Sequence, residues 1–334
     1  MTYQRYMLLL VALVFFLSIV SLCLGQSWDS PADVFLLPFT DPDATTAVIV
    51  REIRLPRTLI AIVAGLSLGL SGAAMQGLLQ NPLASPGLVG SASGAALGAV
   101  SALYFFNDVW HPQSVPLAGM SGALIATGFV YLMAGRDATV STLILAGVAV
   151  NALAGALLSL LLNLAPSPFA VRELVLWTLG DLSDRSLQDL WVMLPCTLAG
   201  WILLAGCGRS LDALSLGERT ARSMGINTYL ISWRVFIAIS LCVGAAVATT
   251  GMIGFIGLVI PHLLRPLANH QPGKLLPLAA AGGAAMLLTA DICVRLIDMY
   301  TDLPVPLKVG VLTALVGAPF FLVLILKTRS EYLR

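Results

Sequence analysis

Long apolar runs alternate with short polar ones along the whole chain. Runs poor in charge cover about 7–25, 58–79, 87–106, 116–135, 141–164, 189–207, 230–251, 254–269, 276–298 and 305–327. Most approach the roughly 20 residues that an α-helix needs to cross a hydrocarbon core. The pattern predicts an all-α, polytopic membrane protein of about ten transmembrane helices, forming one domain over residues 1–334. The eighth run is the weakest, being short and interrupted by Pro261. An even number of spans puts both termini on one side. The first run reads as an uncleaved span and not a signal peptide, because so many spans follow it.

Composition agrees. Of 334 residues, 58% are hydrophobic and 10% charged, against about 25% charged in a soluble domain; mean hydropathy is +0.92. This excludes a cytosolic enzyme, a disordered chain and a secreted disulfide scaffold. A net charge of +1, from 18 Lys and Arg against 17 Asp and Glu, gives no reason to expect nucleic acid as a partner. The five cysteines are scattered through apolar runs without a C-x-x-C and read as packing residues.

Basic residues orient the spans. If Arg5 is cytoplasmic, so are the loops near 80–86, 136–140, 208–229 and 265–275, which carry Arg136, Arg209, Arg219, Arg222, Arg265 and Lys274. Arg51, Arg54 and Arg57 fall on the other side and need their own explanation. They are spaced i, i+3, i+6. Snorkelling to the interface is one reading. Docking of an acidic partner is the other, since guanidinium forks suit carboxylates. Asp291 and Arg295 stand i, i+4 inside an apolar run. An ion pair is the simplest account, and charges within spans mark pathways or partner sites.

Catalytic motifs are weak. No G-x-x-x-x-G-K-[ST] and no H-E-x-x-H occurs, and the three histidines stand far apart. Gly65-Leu-Ser67-Leu-Gly69 and Gly69-Leu-Ser71-Gly72 match serine-hydrolase patterns. A nucleophile elbow needs a strand–turn–helix context, whereas these lie in an apolar span. Glycines at helical spacing (Gly65 and Gly69; Gly90, Gly94 and Gly98) instead suit close helix approach in lipid. The expectation is no catalytic residue, no metal and no cofactor in this chain. An ion-coupled secondary transporter would need partnered carboxylates near the midplane, and Asp291 is the one candidate.

Two segments stand out. Asn81-Pro82-Leu83-Ala84-Ser85-Pro86-Gly87 stops one span and restarts the next within a few residues, which makes the turn a candidate constriction. Residues 209–229 read as one or two short amphipathic helices ended by Gly225, a surface for something soluble.

Arg54-Leu-Pro-Arg57, Gly72-Ala-Ala-Met-Gln76, Asn81-Pro-Leu-Ala-Ser-Pro-Gly87, Leu143-Ile-Leu-Ala-Gly147, Leu216-Gly-Glu218, Gly254-Phe-Ile-Gly-Leu-Val-Ile-Pro-His262, Ala290-Asp291 with Arg295, and Gly317-Ala-Pro-Phe320 together carry a resemblance. The chain resembles the FecCD family of permease subunits of ABC importers for iron chelates, haem and cobalamin, over nearly its whole length. The resemblance implies the ten-span, cobalamin-permease-like (type II importer) fold in a bacterial inner membrane, with both termini cytoplasmic. It implies a homodimer around a central pathway, two ATPase subunits that carry ATP and Mg, and a periplasmic substrate-binding protein. Arg54, Arg57 and Arg295 correspond to external arginines that receive the binding protein's carboxylates. Asn81 and Leu83 correspond to the cytoplasmic gate, and Thr139, Val140 and Ser141 to its second position. The fifth span, around Val148 to Leu161, would line the pathway with the tenth. Leu216, Gly217, Glu218, Ala221, Met224 and Gly225 correspond to the coupling helices that meet the ATPase. An iron complex is the expected cargo, with cobalamin as the alternative.

Overall fold

The computed structural model describes residues 3–25, 29–105, 114–135, 140–165, 168–301 and 305–332. Among them the secondary structure is helical. The order is α1 (Tyr3–Cys23), α2 (Pro31–Thr40), α3 (Thr45–Ile49), a π-helical turn (Val50–Arg54), α4 (Leu55–Leu79), a 3₁₀ turn (Pro86–Val89), α5 (Ser91–Phe105), α6 (Ser114–Ala134), α7 (Val140–Asn163) and α8 (Pro168–Thr178). There follow α9 (Leu187–Ala205), α10 (Gly208–Leu214), α11 (Glu218–Ser223), α12 (Thr228–Thr250), α13 (Ile256–Leu264), α14 (Pro272–Tyr300) and α15 (Val309–Tyr332).

Each of the ten apolar runs contains a helix, and among the described residues seven helices are long and apolar enough to cross a membrane. In the eighth run the helix α13 (Ile256–Leu264) is too short to cross by itself. Nine residues of α13 rise about 14 Å, half of a hydrocarbon core of about 30 Å. It is preceded by irregular backbone at 251–255, with Gly251 and Phe255 at positive φ. Such backbone survives at depth because protein covers it: Gly251 lies against Trp177 and Gly180, and Phe255 against Gly317.

The bundle is built around α4. Pro56 at its head has no N–H to donate, and the ladder passes through the π-helical turn, where Leu55 N–H reaches back five residues to Val50. Beyond that turn α4 runs unbroken to Gln80, whose φ of 48° ends it. One side of α4 packs along α14, and α12, α13, α1 and α9 complete its surroundings. Lipid supplies no hydrophobic drive between helices, so dispersion at close contact must hold them. Small residues permit that contact. A Cβ at Gly69 would overlap the Ala279 carbonyl, and one at Gly72 would overlap the Gly257 carbonyl. Gly94 and Gly98 do the same for α5 against α6, at Gly122 and Ala118. The sequence patterns that mimic hydrolase motifs are therefore packing seams; Ser67 donates to Val63 O at 2.7 Å and accepts from Trp201 Nε1 at 3.2 Å.

Exposure grades outward from this core. The most hydropathic stretch of Thr45–Leu79 is 78% buried within the chain, that of α7 22% and that of α1 11%. α1 therefore turns its Leu8, Leu9, Phe15 and Phe16 to lipid. Gly69→Leu is expected to cost about 1–3 kcal/mol or more by overpacking, read as a lower unfolding temperature in detergent. Gly128→Leu, where no atom lies within 4 Å of the new Cβ, should leave it unchanged.

Candidate functional site

The bundle has two chemically distinct ends. One gathers the arginines of the π-helical turn, α4 and α14 with the end of α1 and the α8–α9 loop. The other gathers Tyr3, the end of α4, α10, α11 and the start of α14. Tyr3 OH bonds Lys274 O at 3.3 Å, and Asp212 Oδ1 accepts from Gly273 N at 2.7 Å.

At the arginine end, Asp291 is fully buried. Arg57 reaches its Oδ1 at 2.7 Å and Arg295 its Oδ2 at 2.6 Å. Each guanidinium spends its other donors on a further element. Arg57 donates to Ser183 Oγ in the α8–α9 loop at 3.2 Å. Arg295 donates to the Ser21 and Leu24 carbonyls, both at 2.8 Å. Arg54 donates to the Leu22 and Cys23 carbonyls at 2.9 and 3.1 Å and pairs with Asp29. Ser21 and Thr58 share a 2.7 Å bond that joins α1 to α4.

Arg54 and Arg295 are 5% and 8% exposed, and with Arg57 they bond acceptors of the chain's own helices and loops. The physical reason is the depth of their helix positions, where an unpaired charge would be costly. Of Arg51, Arg54, Arg57 and Arg295, Arg51 is the one open to solvent: its side chain is 62% exposed and pairs with Glu52.

Beside this cluster the α8–α9 loop ties down the start of α15. Lys308 pairs with Asp181, Gly310 N donates to Gly180 O at 3.0 Å, and Asp181 N donates to Thr250 O at 2.7 Å. Burial opposes ionisation of Asp181, but the Lys308 ammonium and the Ser183 N–H outweigh it and hold the carboxyl below its usual range. Below this strap opens an apolar cleft of about 590 Å³ between the end of α8, Met252 and α15, with Val311, Ala314 and Ala318 on its wall.

At the other end, Asn81 and Leu83 sit in a half-buried turn in which Leu83 N donates to Asn81 Oδ1 at 2.9 Å. That bond holds the turn in shape without helix. Four polar side chains lock its surroundings. Asn151 of α7 donates to Gly87 O at 2.9 Å and accepts from Ser93 at 2.5 Å. Gln76 accepts from Arg265 at 2.7 Å and donates to Leu258 O at 3.3 Å. Thr139 lies outside the described residues, as do the side chains of Val140 and Ser141; α7 begins at Val140. Sequence reading passed over Asn151, although a lone amide in an apolar helix was a usable signal. It also passed over the Asp181–Lys308 and Gln76–Arg265 pairs, which no spacing announces.

Residues 209–229 fold as α10 and α11. Gly217 and Gly225 take positive φ at the two turns. Leu211 and Ala221 are fully buried against the bundle, whereas Leu216 and Met224 are 64% and 59% exposed. Glu218 and Arg222 pair at 2.7 Å across one turn. Of the six residues expected here to meet a partner, Ala221 faces inward.

Asp291→Asn should leave two poorly exposed guanidiniums uncompensated and cost about 3–5 kcal/mol, seen as a marked drop in thermal stability. The Asp181–Lys308 pair adds a pH signature. The folded carboxyl titrates below its ordinary value, so its stabilisation is present above about pH 4 and lost as pH falls through the depressed value. An Asp181→Asn variant should show a shallower acid limb in a pH–stability profile, and an unaltered limb would remove the pair as its source.

The comparisons converge. The FecCD transport family matches residues 11–327. The vitamin B12 import system permease protein BtuC of Salmonella typhi is 38% identical over 328 residues, 97% of this chain and 95% of that protein. The BtuC of Klebsiella pneumoniae subsp. pneumoniae is 36% identical over 329 residues, with 98% and 95% covered. A solved inward-facing structure of a metal-chelate type ABC transporter aligns with a TM-score of 0.83 at 28% identity, over 98% of this chain and 100% of that one. PsaBC from Streptococcus pneumoniae, at 18% identity and a TM-score of 0.55 over 81% of this chain and 90% of that one, shares the fold. A helical bundle with several membrane-crossing segments, matched in sequence and in fold over almost its full length, belongs to the FecCD transport family as the multi-pass permease subunit of an ABC importer.

Proposed function

We propose that this permease carries a bulky metal chelate of the corrinoid class, cobalamin, across a bacterial inner membrane. The reading rests on the near-full-length similarity to two proteins named for vitamin B12 import. It departs from the iron complex expected from sequence and takes up the alternative weighed there. An iron chelate is the second reading, supported by the solved transporter described as metal-chelate type.

In this reading two copies form the pathway, with α7 and α15 turned toward it. Their exposed Leu145, Val148, Leu153, Leu315 and Val316 are the surface such a pairing would use. A separate ATPase subunit carries ATP and Mg and engages α10 and α11 through the exposed Leu216, Met224 and Glu218, while buried Leu211 and Ala221 transmit the push into the bundle. Asn81 and Leu83 form the gate at that end, together with residues 139–141. Asn151 makes the gate turn and α7 move as one body. A binding protein docks at the arginine end. Arg51 meets its carboxylates, and Arg54, Arg57 and Arg295 hold the surface in shape. Both termini are then cytoplasmic. The purified chain has no transport activity by itself.

The test is uptake into proteoliposomes that contain the permease, its ATPase and its binding protein. Labelled cobalamin should accumulate only when ATP is hydrolysed. Uptake that persists without hydrolysis sinks the importer mechanism. ATP-driven uptake of a ferric siderophore or haem but not of cobalamin transfers the assignment to the second reading.

A further inference from the structure

α2 presents an apolar face that no described residue covers. Phe39 is 87% exposed, Leu36 59% and Phe35 44%. At about 100° per residue, Phe35, Leu36 and Phe39 share one arc of the helix. Val34, 2% exposed, points the other way. It packs with Cys23, Val50, Ile19 and Leu22 in a small cluster separate from the main core. The helix is thus held by one side and offers three large apolar side chains on the opposite side.

It is also fixed in place. Ser30 caps its first turn by accepting from Asp33 N at 3.1 Å, and Asp41 N closes its last turn on Leu37 O at 2.8 Å. Its leading segment is tied to the end of α1 by Asp29 N on Cys23 O at 3.0 Å and by the buried Arg54, which pairs with Asp29 and bonds the Leu22 and Cys23 carbonyls. Its trailing end runs through α3 and the π-helical turn into α4. Both ends are therefore fastened where two membrane-crossing helices end, at the level where hydrocarbon gives way to head groups.

We propose that α2 is an interfacial helix that lies in the lipid head-group zone at the arginine end, with Phe35, Leu36 and Phe39 inserted toward the acyl chains. Continuity with α1 identifies the occupant. α1 is the least buried of the seven long apolar helices among the described residues, its exposed Phe15, Phe16, Leu8 and Leu9 already face lipid, and α2 extends that same periphery. A helix with one apolar face and polar flanks (here Asp33 and Thr40) lies in the interface plane with that face a few ångströms deep. The consequence for function is mechanical: α2 anchors the Arg54–Asp29 strap, and with it the mouth of the bundle, to the membrane plane.

The experiment places the photo-crosslinker p-benzoylphenylalanine at position 39, 35 or 33 in turn, in the permease–ATPase complex in phosphatidylethanolamine/phosphatidylglycerol nanodiscs with the binding protein added. Because the apolar face sits about 5–10 Å into the head-group/acyl boundary, phospholipid adducts from positions 39 and 35 should exceed those from position 33 by about tenfold. Adducts from 39 and 35 to the binding protein or to a second permease copy overturn the proposal, as do equal lipid yields at all three positions. Positions 39 and 35 report independently, so misfolding of one variant does not remove the test. The outcome is independent of which chelate is carried.

Discussion

One buried carboxylate organises the arginine end of this protein. Asp291 has no access to solvent, and taking a charge out of water costs several kcal/mol unless it is paired and hydrogen-bonded. It is paired twice, to Arg57 and Arg295. The two guanidiniums then use their remaining donors on Ser183 of the α8–α9 loop and on the carbonyls that end α1. Pairing a single aspartate thus fixes the relative position of α1, α4, α14 and the loop above them. Arg54 repeats the device one turn away, holding the α1–α2 connection through Asp29.

The rest of the bundle answers a different constraint. Lipid is as apolar as leucine, so helices associate only where backbones come close. Glycine and alanine line the contacts of α4 with α13 and α14 and of α5 with α6. Two amides near these seams are fully engaged: Gln76 bonds Arg265 and Leu258, and Asn151 bonds Gly87 and Ser93. These contacts connect the turn at Asn81–Gly87 to α7 and α13, which makes that end of the bundle a linked unit. The strap of Asp181 and Lys308 does the corresponding work above the apolar cleft.

Much of this was legible from residues alone, for a physical reason. The requirement for about 20 apolar residues per span writes the helices into composition, and the small-residue spacing writes the seams. The turn after α4 was visible because Pro82 and Pro86 remove donors and stop a helix. The paired helices at 208–223 were visible because glycines bracket a polar, amphipathic stretch. The i, i+4 spacing announced the Asp291–Arg295 pair, since both ends of that contact lie on one helix.

Other features depended on residues far apart in the chain. Arg57 and Asp291 are 234 positions apart, and Lys308 and Asp181 are 127 apart. No local pattern encodes such meetings; only packing brings the elements together. Burial of Arg54 and Arg295 was equally hidden, because an arginine near a span end looks the same in sequence whether it faces water or a carbonyl. How short the helix in the eighth run is, nine residues in α13, was hidden for a related reason: hydropathy measures how apolar a segment is, not whether protein or lipid covers it. The sequence by itself determined a membrane-crossing helical bundle, its seams and its breaks, because solvation and backbone chemistry act residue by residue. The tertiary structure alone decided which charges meet, which end of the bundle each locks, and which apolar faces are left for lipid or for another chain.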